Sequence, residues 1–167
     1  MAIINSFSTG TEAALRADGS VAFDDGLVVD DPMRDFDPDR LDPALSVHTI
    51  DSTHPLWVPA ENFVYRVFRV SEFCRESPRQ FVEESEPWRA GSQLHVIADG
   101  SDPVGVARTI IGTYDQLPVS QFEPEIAVPD GLLCEIGSLA VQPNQRGLGV
   151  TNELHRQAFW AGIHRGI

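Results

Sequence analysis

Apolar and polar positions change their spacing along the chain, and the changes predict its elements. Leu45–Asp51 alternates apolar and polar residues, as in a half-buried strand. Over about Ala60–Arg75, large apolar residues recur at helical spacing, which predicts an amphipathic helix with Pro59 in its first turn. A second short helix is predicted over Pro78–Glu86.

The second half of the chain predicts a hairpin followed by a strand–turn–helix unit. Gln93–Ala98 and Val104–Ile111 are apolar runs joined through the Asp99-Gly100 turn, a strong hairpin signal. Leu132–Val141 predicts the next strand and Leu148–Gly166 the next helix. The chain is therefore predicted to be an α/β domain of the α+β type.

The composition and net charge of the chain argue against several classes of function. The chain has 167 residues, enough for one domain, with 25 acidic and 12 basic residues and a net charge of −13. The acidic balance argues against a nucleic-acid partner and against anionic membranes, since both need clustered cations. All basic residues are arginine, which suggests a bacterial, high-GC coding bias. With no spanning run and no secretory signal, a cytoplasmic protein is predicted. Cys74 and Cys134 lack metal-ligand spacing, so they are expected to be reduced thiols, and no metal is predicted.

The first 44 residues differ from the rest. Residues 1–44 are rich in small and acidic residues, including the run Asp30–Asp39, and are predicted to be poorly ordered. A solvated tail and an acidic interaction arm both fit this composition. The folded domain is predicted over residues 45–167.

The turn before the last helix is the strongest candidate ligand site. Arg146, Gly147 and Gly149 lie between a buried strand and a helix start. Such a turn offers a phosphate unpaired backbone N–H groups and the positive end of a helix dipole. The alternative is an ordinary left-handed turn with an exposed arginine.

This turn resembles a known motif. Val141–Gly149, VQPNQRGLG, is similar to the pyrophosphate motif of the GCN5-related N-acetyltransferase (GNAT) superfamily, in which a strand ending Val-x-Pro runs into Arg-Gly-x-Gly. Arg146, Gly149 and Thr151 occupy the motif positions, and Thr151 stands where Gly or Ala is usual. The resemblance covers about Leu45–Ile167. It implies a mixed, mainly antiparallel sheet with flanking helices, truncated after the helix that follows the pyrophosphate turn.

The resemblance implies acyl transfer from acyl-CoA or acetyl-CoA to a small-molecule amine by direct attack. Glu135, at the cleft end of the strand, would be the general base or would orient a water molecule. The strand edge would pair with pantetheine. A sheet that ends here exposes an edge, which could pair with a second copy in a homodimer. The residues expected to bind the cofactor are Leu139, Ala140, Val141, Arg146, Gly147, Leu148, Gly149, Val150 and Thr151.

A narrower resemblance concerns the substrate. FVYRVFR at Phe63–Arg69, VGVAR at Val104–Arg108, Leu117-Pro118 and Glu135 look like acyl-homoserine-lactone and N-acyl amino acid synthases, which take long acyl groups, often from acyl carrier protein. Arg108 would bind an acceptor carboxylate or pair with Glu135. A third hypothesis is a non-catalytic domain that binds a ligand or partner.

Strict alternation along the strand predicts which side chains share a face. Leu139 is expected to pack inward. One face is predicted to carry Glu135, Gly137, Leu139 and Val141, and the other Cys134, Ile136, Ser138 and Ala140. Gly137 leaves room for a ligand or a bulge.

Overall fold

A computed structural model describes residues 41–122, 127–128 and 130–167, together with the backbone of three short strands nearer the N-terminus. The elements in chain order are β1 (Ala13–Leu15), β2 (Val21–Phe23), β3 (Val28–Val29), β4 (Ser46–Ile50), α1 (Trp57–Val70), β5 (Ser92–Asp99), β6 (Asp102–Gly112), β7 (Leu133–Val141) and α2 (Val150–Ile163). Short 3₁₀ turns cover Glu83–Gly91, Tyr114–Gln116, Pro118–Gln121 and Pro143–Gln145.

The main sheet is antiparallel throughout. Its order is β4-β5-β6-β7, and β5 and β6 form the predicted hairpin. With α1 and α2 flanking this sheet, the prediction of an α+β fold with a mainly antiparallel sheet is confirmed. β1, β2 and β3 form a separate small antiparallel sheet.

The two helices cover opposite faces of the main sheet. Ala60, Phe63 and Val64 of α1 are buried against Leu94 and Val96 of β5 on one face. On the other face, the α2 residues Val150 and Leu154 pack with Ile97, Val104, Ala107 and Val141. Alternate residues of β5 and β6 therefore enter different cores, which explains why both strands are buried along most of their length.

The first helix ends earlier than predicted. The spacing predicted Ala60–Arg75, whereas α1 ends at Val70 because Glu72 adopts φ 57°. The Glu72 N–H donates to the Arg69 carbonyl, and the Phe73 N–H donates to the Phe68 carbonyl. The Phe68 and Phe73 rings meet edge to face, 5.9 Å apart. This is a Schellman ending, with glutamate at the position that glycine usually occupies.

The predicted second helix, Pro78–Glu86, is wrong. The structure has a 3₁₀ turn over Glu83–Gly91 instead. Pro87 lies inside this turn and lacks the N–H that an α-helix would need there.

The predicted N-terminal segment, residues 1–44, lies mostly outside the described residues. Within it, β1 to β3 are described as backbone only. Its predicted disorder and the two interpretations of its acidity stay predictions.

A bulge in β7 overturns the predicted alternation of its side chains. Val106 pairs with Ala140 but Arg108 pairs with Gly137, so Ser138 and Leu139 together oppose Ala107. Ser138 takes φ 53°. Because of the extra residue, each side chain after the bulge points to the face opposite to the one predicted. Ala140 therefore enters the α1 core and Val141 the α2 core, while Leu139 is 36% exposed rather than packed inward.

A buried histidine links three strands of the sheet. His95 of β5 is fully buried, with Nδ1 2.9 Å from the Thr49 hydroxyl and Nε2 2.7 Å from the Thr109 hydroxyl. Burial lowers its pKa from 6.5 to about 4, so the ring is neutral at pH 7.

We expect this histidine to make stability pH-dependent. In the unfolded chain His95 binds a proton below about pH 6.5, but in the folded chain only below about pH 4. Its contribution is therefore complete above pH 6.5 and is lost as the pH falls towards 4. Urea unfolding at pH 7 and pH 4.5 should show a loss about 2 kcal/mol larger for wild type than for His95→Gln. The exposed His164→Gln control should follow wild type, and equal losses in all three proteins would contradict the prediction.

Candidate functional site

The turn between β7 and α2 is built by glycine conformations and a buried valine. Gly147 takes φ 78° and Gly149 takes φ 85°, a region that other residues rarely adopt. Val150 then begins α2 and is fully buried. It packs so closely on Gly105 of β6 that a Cβ at position 105 would lie 2.5 Å from Val150 Cγ1. The hairpin thus fixes where the turn and the helix begin.

Several backbone N–H groups of this turn have no acceptor among the described residues, whereas the N–H groups of Arg146 and Leu148 donate to the Pro143 and Gln145 carbonyls, each at 3.4 Å. No hydrogen bond from Gly147, Gly149, Val150 or Thr151 N–H reaches an acceptor among the described residues. Gly149, the N-cap, has no side chain to cap the helix. The helix start therefore keeps the unsatisfied donors and partial positive charge that favour a bound anion.

Arg146 lies between two neighbouring clefts. One, which we call the turn cleft, has a volume of about 230 Å³. The turn cleft is lined by Val67, Phe68, Ser71, Phe73, Leu139, Ala140, Val141, Arg146 and Thr151. The other cleft, about 390 Å³, shares Arg146, Val67 and Ser71 and adds Arg66 and Asp102. Arg146 is exposed and has no ion-pair partner within the described part of the chain.

The outer edge of β7 borders the turn cleft. β7 is the last strand of the main sheet, and no other strand that the structure describes pairs with its free edge. The Ser138–Leu139 bulge interrupts its pairing with β6 on the other edge. Leu139 presents its side chain to the cleft, whereas the side chains of Ala140, Val141 and Val150 belong to the cores. A ligand in the turn cleft can reach Ala140 and Val141 through their backbone only.

A third cavity, which we call the acidic cavity, lies on the other side of the bulge from the turn cleft. Its volume is about 280 Å³. The lining residues are Glu84, Ser85, Trp88, Arg108, Ile110, Pro118, Gln121, Phe122, Glu135, Gly137 and Ser138. β7 therefore runs from the acidic cavity, at Glu135, to the turn cleft, at Leu139–Val141.

Glu135 is half-buried in the acidic cavity. Burial raises the pKa of its carboxyl, and a hydrogen bond from the Val119 N–H to Oε2, 2.9 Å long, opposes that rise. Oε1 has no partner among the described residues. A carboxylate with a raised pKa and one free oxygen is suited to take a proton from a bound group.

One of the two roles predicted for Arg108 was an ion pair with Glu135, and the structure contradicts this pairing. Its guanidinium is 3.2 Å from Glu61 Oε1 of α1 and donates to the Ser92 hydroxyl at 2.7 Å. Arg89 donates to the same carboxylate, with its Nη2 atom 2.6 Å from Glu61 Oε2. One buried carboxylate thus holds two guanidinium groups, and Arg108 Nε is left buried without a partner.

The sequence analysis missed several residues of this arrangement. Glu61 is far from Arg108 along the chain, and its only local signal is a charge on the mostly apolar helix face. Tyr114 and Val119, which hold the wall beside Glu135, lie in a connection with no periodicity. The bulge at Ser138 has no glycine signal at its left-handed residue.

The described residues contain no cluster of three or more His, Cys, Asp or Glu side chains placed to hold a metal ion. Burial raises the pKa of Cys134 to about 11, so its thiol is protonated at neutral pH. None of the helices in the described ranges is long and apolar enough to cross a membrane.

No protein-family model and no curated protein matches the chain. Among solved structures, the chain is similar to a GCN5-related N-acetyltransferase from Ralstonia eutropha JMP134, with 17% sequence identity and a TM-score of 0.49. The match covers 74% of this chain and 78% of the other.

Proposed function

We propose that this protein is an N-acyltransferase that moves an acyl group from a coenzyme A thioester to a small-molecule amine. One observation supports this most: free N–H groups at the start of α2 lie beside Arg146 and beside an unpaired strand edge that leads to Glu135. The diphosphate would bind the turn before α2, the pantetheine the free edge of β7, and the amine the acidic cavity at Glu135. The motif resemblance points to the same chemistry.

The diphosphate would bind the N–H groups of Gly147, Gly149, Val150 and Thr151, with Arg146 adding a charge-assisted contact. Because Gly147 has open space where a Cβ would be, the phosphate can approach the backbone closely. The pantetheine amides would pair with the free edge of β7, as a peptide adds to a sheet. This places the thioester beside the bulge, next to the acidic cavity.

In the reaction, Glu135 Oε1 accepts a proton from the acceptor ammonium, so that the amine lone pair attacks the thioester carbonyl. A C–N bond forms and the C–S bond breaks, and the leaving thiolate takes up the second proton that the nitrogen loses as it becomes an amide. Glu135 can hold the proton because burial raises its pKa. Arg108, which lines the acidic cavity, would bind a carboxylate on the acceptor.

Coenzyme A should stabilise the protein against thermal unfolding. Ligand at 100 times its dissociation constant adds about 2.7 kcal/mol to the free energy of unfolding. Arg146→Ala should weaken coenzyme A binding about tenfold through loss of one charge-assisted contact. Arg165→Ala, an exposed arginine beyond the opposite end of α2, is the matched control and should bind as wild type does.

A thermal shift with a phosphopantetheine-loaded carrier protein, but none with coenzyme A, would assign the donor to the carrier protein. No shift with either donor would contradict the transferase proposal and favour a non-catalytic domain.

A further inference from the structure

The wall of the acidic cavity opposite Arg108 is a short connection fixed at several points. Two 3₁₀ turns, Tyr114–Gln116 and Pro118–Gln121, are joined by Leu117. Leu117 is 1% exposed and packs with Ile110 and Leu133. A residue buried between two turns holds the connection on the sheet but does not orient the polar groups of the second turn.

Two hydrogen bonds orient that second turn. At its start, the Val119 N–H donates to Glu135 Oε2 at 2.9 Å. Just after its end, the Tyr114 hydroxyl lies 2.8 Å from the Phe122 carbonyl oxygen and 3.4 Å from the Val119 carbonyl oxygen. The tyrosine thus holds the same turn whose amide holds the carboxylate.

We propose that Tyr114 is a positioning residue for Glu135: its hydroxyl fixes the Pro118–Gln121 turn so that the Val119 N–H stays on Oε2 and Oε1 faces the acceptor. The proposal rests on the proposed acyltransferase function for its kinetic consequence, but not for the hydrogen bonds themselves. Tyr114 is half-buried at the edge of the apolar cluster around Leu117, so its ring is already ordered.

The Val119 hydrogen bond favours the charged form of Glu135 and so lowers its pKa. The other charged groups facing this cavity are Arg108 from β6 and Glu84 from the Glu83–Gly91 turn. Cys134, next to Glu135 on β7, is a protonated thiol at neutral pH. Because these groups are unchanged when Tyr114 alone is altered, a change in the titration of Glu135 reports the Val119 contact.

The test replaces Tyr114 with phenylalanine, which keeps the ring and removes the hydroxyl. The matched control is Tyr65→Phe, which removes a hydroxyl that accepts a hydrogen bond from the Ser77 N–H; neither Tyr65 nor Ser77 lines the acidic cavity. Carbon-13 NMR of glutamate-labelled protein, with the Glu135 carboxyl resonance assigned through Glu135→Gln, gives the pKa directly. We expect it to rise in Tyr114→Phe and to stay at the wild-type value in Tyr65→Phe.

With coenzyme A thioester and amine, the acid limb of the kcat/KM profile should move to higher pH in Tyr114→Phe. On that limb kcat/KM should fall about two- to tenfold, the value of one hydrogen bond, while KM for the thioester is unchanged. An unchanged Glu135 pKa in Tyr114→Phe would overturn the proposal. If wild type shows no turnover, the proposed function fails, and the NMR titration still decides the role of Tyr114.

Discussion

Replacing Glu135 with glutamine is expected to lower kcat about a hundred- to ten-thousandfold, the usual contribution of a general base. Glutamine keeps the side-chain length and an oxygen that can accept the Val119 N–H, but it cannot take the ammonium proton. The turn cleft is untouched, so coenzyme A should stabilise the variant as strongly as wild type. Steady-state kinetics together with thermal unfolding would separate the two effects.

The same variant should change the pH profile. Burial raises the pKa of Glu135, and the carboxyl accepts a proton only when ionised, so wild-type kcat/KM should increase as the pH rises through that pKa. Glu135→Gln should lack this limb. Glu76→Gln, which alters an exposed glutamate, is the control and should keep both the rate and the limb. If Glu135→Gln retains kcat within about threefold of wild type, Glu135 only orients the acceptor and the base assignment is wrong.

The turn after β7 could be predicted from sequence because its signals are local. An apolar strand, a proline, two glycines and a helix start follow one another between Val141 and Val150, and each has its own backbone preference. The structure places both glycines at positive φ. The helix spans Val150–Ile163 rather than the predicted Leu148–Gly166, and it begins two residues late because Gly149 is left-handed. Whether the turn binds a diphosphate is a separate question, which the coenzyme A experiment addresses.

The faces of β7 could not be predicted, because one residue decides them. Ser138 adopts a left-handed conformation, which a glycine or asparagine at this position would have indicated. Its bulge reverses which side chains of β7 point to each face of the sheet from Leu139 onwards. Leu139 becomes exposed beside the turn cleft for this reason. A prediction from alternation assumes that side chains change face at every residue of the strand. It therefore fails at Ser138, which lies between the acidic cavity and the turn cleft.

The ion-pair partner of Arg108 also could not be predicted from neighbouring residues in the sequence. A buried arginine on a strand demands a carboxylate, and the nearest candidate in the predicted sheet was Glu135. The structure supplies Glu61 from α1, which the pattern indicated only as part of an amphipathic helix. The need for a partner follows from the energy of burying a charge, but its identity depends on how helix and sheet pack.

This pairing makes Glu61→Ala the substitution that should cost the most stability. The Glu61 carboxylate is 5% exposed and accepts hydrogen bonds from both Arg89 and Arg108. Its removal leaves Arg108, equally buried, with the Ser92 hydroxyl as its remaining hydrogen-bond partner among the described residues and the Trp57 ring 5.8 Å away. Loss of one partner from a buried ion pair costs about 3–5 kcal/mol, because the remaining charge is uncompensated. Urea unfolding monitored by circular dichroism measures the change.

Two further variants distinguish buried charge from a general effect of losing a glutamate. Glu86 lies 3.9 Å from Arg79 in an exposed pair, so Glu86→Ala should cost less than about 1 kcal/mol. Adding Arg108→Met to Glu61→Ala removes the orphaned charge and should restore part of the lost stability, although Arg89 also loses its partner. Equal losses for Glu61→Ala and Glu86→Ala would show that Arg108 finds water or another acceptor, and its place in the wall of the acidic cavity would then not depend on Glu61.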